Sequence, residues 1–140
     1  EDVFWNRHAN PYSGWSRLLV GPLLLYALYR RDGRLLALAA AVTLLNPVAF
    51  ARPEPDTESW MTRGVRAERW WLSEGQGTVG LRWPNVLNAV NLPTFGFACY
   101  AAWTRRPVRA VLALALSTAL KLAWVEAIAR RFDRVSTAEP

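Results

Sequence analysis

Two short stretches constrain this chain more than anything else in it: Arg30-Arg31-Asp32-Gly33-Arg34 and Arg105-Arg106-Pro107-Val108-Arg109. Each has the form Arg-Arg-x-x-Arg, each lies between two apolar runs, and they stand 75 residues apart. A charged turn between two greasy stretches marks a helical hairpin whose tip stays at a water boundary. Two such hairpins predict an all-α, integral membrane fold with about four transmembrane helices, built as a single membrane domain over residues 1–140.

Bulk composition hides this pattern. The apolar fraction is 52% and the mean hydropathy +0.03, close to soluble averages. The charge is segregated into turns, termini and one central segment. Lys121 is the sole lysine among 17 basic residues, an Arg bias that fits a GC-rich bacterial genome. The net charge of +6 does not point to nucleic acid, because the arginines flank apolar runs instead of clustering on one solvated face. That placement predicts lipid headgroup contacts for Arg30, Arg31, Arg34, Arg105, Arg106 and Arg109. Eight tryptophans near the ends of apolar runs or in the central segment suit membrane–water boundaries. Cys99 is alone inside an apolar run and reads as a small packing residue. The chain opens on Glu1, which reads as processing or a start lying outside it, and no cleavable signal peptide is visible.

Along the chain, EDVFWNRHANPY is a polar-aromatic lead-in, and Ser13 can cap a first span over about 13–31, with a kink expected at Gly21-Pro22 and with Arg17 and Arg30 snorkelling. A second span covers about 35–50, where Ala37 to Ala41 permit a close helix neighbour. The long connection then carries an amphipathic helix over about 58–72, capped by Asp56 or Thr57. Trp60, Met61, Gly64, Val65, Trp71 and Leu72 fall on one face, and Ser59, Thr62, Arg63, Arg66, Arg69 and Ser73 on the other. Such a helix lies in the membrane surface. Glu68 breaks the pattern by sitting on the apolar face. A third span over about 84–103 begins at Pro84 and carries Asn85, Asn88 and Asn91 as a polar stripe, with Pro93 and Gly96 predicting a second kink. The fourth, over about 107–129, is interrupted only by Ser117, Thr118, Lys121 and Glu126, and the tail after Arg130 is expected to fray. LLALAAAVTLL and AVLALALSTAL share the 75-residue offset of the turns, which suggests a parallel internal repeat of two spans.

Within this frame few residues can carry chemistry. An ammonium at Lys121 costs roughly 2.5–3.5 kcal/mol in a span unless paired or snorkelled. Glu126 is badly placed around the helix to reach it and suits Arg130 at i,i+4. Glu68 is left, and a Glu68–Lys121 ion pair docking the amphipathic helix onto the bundle is expected. Asn85, Asn88 and Asn91 are expected to make polar contacts between helices. His8, the single histidine, can serve as an interfacial hydrogen-bonding group or as the one ligand a haem or chlorophyll-type pigment needs. One histidine does not make a zinc site, and no catalytic set and no metal cluster is evident.

The tips carry six arginines and the opposite side ten, a total that favours cytoplasmic termini in a bacterial inner or intracytoplasmic membrane. In order, FWNRHANPYSGWSR, NPVAF with its following Pro-Glu stretch, SWMTRGVRAERWWL, PNVLNAVNLP and KLAWVEAI resemble a family of small bacterial and archaeal multi-span integral membrane proteins of unknown function. The resemblance covers nearly the whole chain, implies no activity, and places Arg63, Gly64, Glu68, Trp71, Pro84, Asn85, Asn88 and Lys121 in recurring blocks. The first expectation is therefore a non-catalytic accessory subunit of a larger photosynthetic or respiratory membrane complex. Its partners would be membrane lipids and larger subunits, with bound lipid, chlorophyll-type pigment or carotenoid. The alternatives are a small oligomeric transporter or channel using Lys121 and the Asn stripe, and a lipid-modifying enzyme using Glu68 and His8.

Overall fold

Turn chemistry sets the helix boundaries in the computed structural model, which describes residues 2–54 and 58–138. The order is α1 (Asp2–His8), α2 (Pro11–Arg17), α3 (Val20–Arg30), α4 (Gly33–Ala49), α5 (Trp60–Ser73), α6 (Asn85–Trp103) and α7 (Pro107–Ala138), with no strand among the described residues. The expected first span is two helices, and the break falls at Leu18-Leu19, ahead of Gly21-Pro22. Pro22 explains the position, because its ring clashes with the carbonyl four residues earlier, that of Leu18. The cap also moves: Asn10 accepts from the Tyr12 amide and Pro11 opens α2, while Ser13, the expected cap, is buried.

Both hairpin tips close in the same way. Arg31 and Arg105 take left-handed φ values of 54° and 59°. The Arg31 and Asp32 amides bond back to the Leu28 and Ala27 carbonyls, and those of Arg105 and Arg106 to Ala102 and Ala101. This is the crossed pair of bonds that ends a helix at a left-handed residue. The next helix then starts at once, from an Asp32 side-chain cap in α4 and from Pro107 in α7. The two turns lie side by side: Arg31 Nη2 donates to the Trp103 carbonyl at 3.2 Å, and the Arg105 guanidinium sits 5.7 Å from the Tyr29 ring.

α6 packs between α3 and α7, α4 flanks α3, and α5 crosses α7 and meets α1 and α2. Near the tips the core is made of Leu25, Ala98, Ala101, Ala102, Ala110 and Ala113, with Cys99 packed beside it. Alanine at these contacts lets the helices approach closely. At the other end Trp71, Trp124, Ile128 and Ala129 form a second, aromatic-rich core under α5. Trp71 and Trp124 are therefore core residues and not part of a boundary belt.

α7 does not fray after Arg130 but runs on to Ala138. Phe132 packs on Trp70 and Asp133 pairs with Arg63, so the extra turns are held by α5. On α5 itself Thr62 is buried, not solvated, and Leu72 is exposed, not packed. Ser59 precedes its first turn without a side-chain bond, and the expected caps Asp56 and Thr57 lie outside the described residues. Of the small residues in α4 only Ala39 is packed. Among the described residues α7 is the one helix long and apolar enough to cross a membrane by length and composition, and α4 is apolar but shorter. α6 runs unbroken through Pro93.

Candidate functional site

Charged residues of α7 gather beneath α5. Two glycines allow that helix to settle: a Cβ on Gly64 would lie 2.5 Å from Val125 Cγ1, and one on Gly14 would lie on the Met61 side chain. Close approach brings hydrogen-bonding groups into range. Thr62 Oγ1 donates to the Ala9 carbonyl at 2.8 Å, and Trp60 Nε1 donates to Glu126 Oε2 at 2.6 Å. Arg63 bridges two carboxylates of α7, Glu126 and Asp133, at 2.9 Å each. Arg130 adds a 2.8 Å contact to Glu126.

The structure brings Lys121 and Glu68 together, with Nζ 3.7 Å from Oε1. The ammonium also sits 4.2 Å from the ring of Trp124, a cation–π contact. Glu126, set aside as a Lys121 partner, holds Arg63, Trp60 and Arg130 together. Only the Arg130 contact had been expected. The Arg63–Asp133 link had a visible signal, since Glu126, Arg130 and Asp133 follow i, i+4, i+7 spacing and share one face of α7.

The three asparagines of α6 divide their work. Asn85 Oδ1 accepts from Trp124 Nε1 at 3.1 Å, and Asn91 Oδ1 accepts from Ser117 Oγ at 2.5 Å, both linking α6 to α7. Asn88 instead donates to the Thr78 carbonyl at 2.9 Å, and Asn85 donates to the Gly77 carbonyl at 2.6 Å. Trp71 Nε1 reaches the same Gly77 carbonyl, so the Gly-rich loop after α5 is pinned by side chains of two helices. Asn88 Oδ1 is a buried acceptor with no partner among the described residues.

A second polar cluster closes the far end of α4. Helix C-termini leave carbonyls unpaired, and Pro47 removes a further donor from this one. Ser13 donates to Asn46 Oδ1, Arg7 to the Val48 carbonyl and Asn10 to the Ala51 carbonyl, each at 2.9 Å. Asn46 in turn donates to Ser16 at 2.6 Å. The lead-in is thus a cap for α4, which helical periodicity alone does not reveal.

His8 lies against Arg17, whose Nη1 is 2.8 Å from Nδ1 and also touches Nε2. Phe4 stacks on the imidazole at 5.2 Å and Trp5 meets it edge-on at 5.9 Å. Burial first, then the charges of Arg17 and Lys121, brings the His8 pKa down from 6.5 to about 4. A porphyrin or chlorin ligand must offer one ring nitrogen to an open slot beside a large planar ring. Arg17 at both nitrogens and Phe4 on the face leave no such slot, so these surroundings do not fit a haem or pigment. Among the described residues no group of three or more His, Cys, Asp or Glu is placed to hold a metal ion.

Arg30, Arg31, Arg34, Arg105, Arg106 and Arg109 are all exposed at the tips. None has a carboxylate in ion-pair range among the described residues. Asp32, the acid between them, is occupied in capping the Arg34 and Leu35 amides.

These features define an all-helical bundle of two adjacent hairpins, with one helix laid across an ion-paired seam. The chain belongs to DUF6653, a family of unknown function, whose model matches residues 1–140. Comparison with curated proteins gives no match, and neither does comparison with solved structures.

Proposed function

We propose that this protein is a four-span membrane bundle acting as a non-catalytic accessory subunit inside a larger membrane complex. The observation that carries the reading is the outer surface of α7, whose apolar stretch is only 22% buried. A core helix of a water-soluble protein would be mostly covered. Leu112 and Leu116 on α7 and Leu44 and Leu45 on α4 are each more than half exposed, as are Leu92 and Tyr100 on α6. The lengths also suit a bilayer. α2 and α3 together, α4, α6 and the apolar part of α7 each measure about 25–35 Å at 1.5 Å per residue, against a hydrocarbon core of about 30 Å. Both tips would lie at one border, with α5 and both termini at the other.

The accessory role is supported by how the buried polar side chains are used. Ser13, Asn46, Thr62, Asn88 and Ser117 each bond another protein group, which favours cross-linking over a path or a reacting pair. Outward-facing Ala37, Ala40 and Ala41 on α4 suit close contact with a helix of another subunit. The test is extraction of the tagged full chain in mild detergent from membranes of a cell that expresses it. Co-migration with a stoichiometric larger complex is expected. Recovery of the chain alone, with no partner at any detergent strength, would overturn the accessory role.

A further inference from the structure

The tips carry six exposed arginines with no ion-paired carboxylate among the described residues, and directly beneath them the bundle is notched. Between α3 and α7 runs a groove of about 510 Å³, with Leu25 and Tyr29 on one wall, Val111 and Leu114 on the other, and Ala102 and Ala110 among its lining. The shape follows from side-chain size. Ala102 and Ala110 bring no bulk to the space between the helices, and further down α3 and α7 meet so closely that a Cβ on Gly21 would lie 3.0 Å from Leu114 Cδ1. The groove therefore starts at the tip border and closes after about two helical turns, roughly 10 Å deeper. Its upper edge is Tyr29, over which the Arg105 guanidinium is held at 5.7 Å, and Pro107, which follows Arg106.

We infer that this groove is a binding site for one anionic phospholipid, an acyl chain lying along Ala102 and Ala110 and the phosphate bound by Arg105 and Arg106. The lining calls for a hydrocarbon chain, and the volume is in the range of small-molecule sites. Guanidinium groups bind phosphate oxygens through paired charge-assisted hydrogen bonds. The arginines have no ion-paired carboxylate among the described residues, which leaves their charge open to a complementary anion. The left-handed turn at Arg105 fixes where its side chain leaves the backbone, directly above the groove wall.

The inference rests on the reading that these helices span a bilayer, and that reading fails separately, if the full chain stays in the supernatant when membranes are pelleted. The lipid test uses the full chain in nanodiscs of phosphatidylcholine containing one-tenth phosphatidylglycerol, released and weighed by native mass spectrometry. One phosphatidylglycerol per chain is expected to be retained at least tenfold over its share of the bilayer. Arg105→Gln with Arg106→Gln should abolish that preference, and Ala110→Leu, which fills the groove without changing charge, should lower retention of both lipids. Equal retention of the two lipids by the unaltered chain would overturn the proposal, whatever the variants do. A second polypeptide's helix lying in the groove of the purified complex would overturn it equally.

Discussion

Gly64→Ala tests the docking of α5 most sharply. The new Cβ would lie 2.5 Å from Val125 Cγ1, whereas carbons in comfortable contact stand about 3.5–4.0 Å apart. Either α5 lifts by about 1 Å or Val125 leaves its rotamer, and a β-branched side chain has few rotamers to leave for. Overpacking of this kind costs roughly 1–3 kcal/mol. Replacing a helical glycine by alanine returns up to about 1 kcal/mol of intrinsic preference. The net expectation is a loss of about 1–2 kcal/mol, equivalent to a fall in melting temperature of roughly 4–8 °C for a chain of this size.

The partner variant separates this account from a generic loss of stability. Val125→Ala alone removes two methyl groups and should cost about 1–2 kcal/mol. It also makes the room that the Gly64→Ala methyl needs. The double variant should then melt no lower than Val125→Ala alone, a coupling opposite in sign to simple addition. Thermal unfolding in detergent gives the four values, and proteolysis in the connection before α5 reports whether that helix has lifted. A higher melting temperature for Gly64→Ala by itself, or strictly additive losses, would refute the view that α5 is seated by this contact.

Three further outcomes follow from the same geometry. Leu116→Asp places a carboxylate on the uncovered face of α7; it should cost roughly 3 kcal/mol of membrane insertion and deplete the chain from the pelleted membrane fraction, whereas better solubility with unchanged fold would argue for a water-exposed helix. Glu68→Gln should cost about 1 kcal/mol, because it takes away the carboxylate that faces the charges of both Lys121 and Arg17, while Lys121→Met should stay within about 0.5 kcal/mol of the parent; a melting series in detergent that ranks them the other way would show the ammonium to be the costlier loss. The folded His8 takes up its proton near pH 4 but the unfolded one near 6.5, so between these values the unfolded state binds more protons and stability falls as pH falls, by about 1 kcal/mol once the solvent screening of a partly exposed ring is allowed for. His8→Phe should flatten that dependence, and a melting profile for the parent that is level from pH 7 to 4 would contradict the burial of a neutral imidazole.

Much of this architecture was legible because it depends on local rules. The Arg-Arg-x-x-Arg turns, the extents of α4 and α6, the start of α7 and the amphipathic α5 all follow from apolar periodicity and turn residues. Lys121 and Glu68 stood out for the same reason, each being a charge in the wrong place. What the sequence concealed depends on close approach between distant segments. The break at Leu18 follows from Pro22 acting four residues upstream, and the α4 cap needs Arg7, Asn10 and Ser13 to meet carbonyls more than thirty residues away. Thr62 reads as polar and is buried because its hydroxyl finds the Ala9 carbonyl. The continuation of α7 past Arg130 was hidden because its support, Trp70 and Arg63, lies on another element.

The two ends of the bundle solve the problem of charge in opposite ways. Under α5 charges are paired within the chain: Glu126 with Arg63 and Arg130, Asp133 with Arg63, Glu68 with Lys121. That end is closed upon itself and is best understood as structure, since disturbing any member leaves another charge without a counterion. At the tips six arginines share a single acid, Asp32, whose carboxylate caps α4. Charges paired within the chain at one end and left open at the other would direct external contacts to the open end. The groove beneath Arg105 starts there too, which is why lipid binding, and not chemistry at Lys121, is the first property to measure.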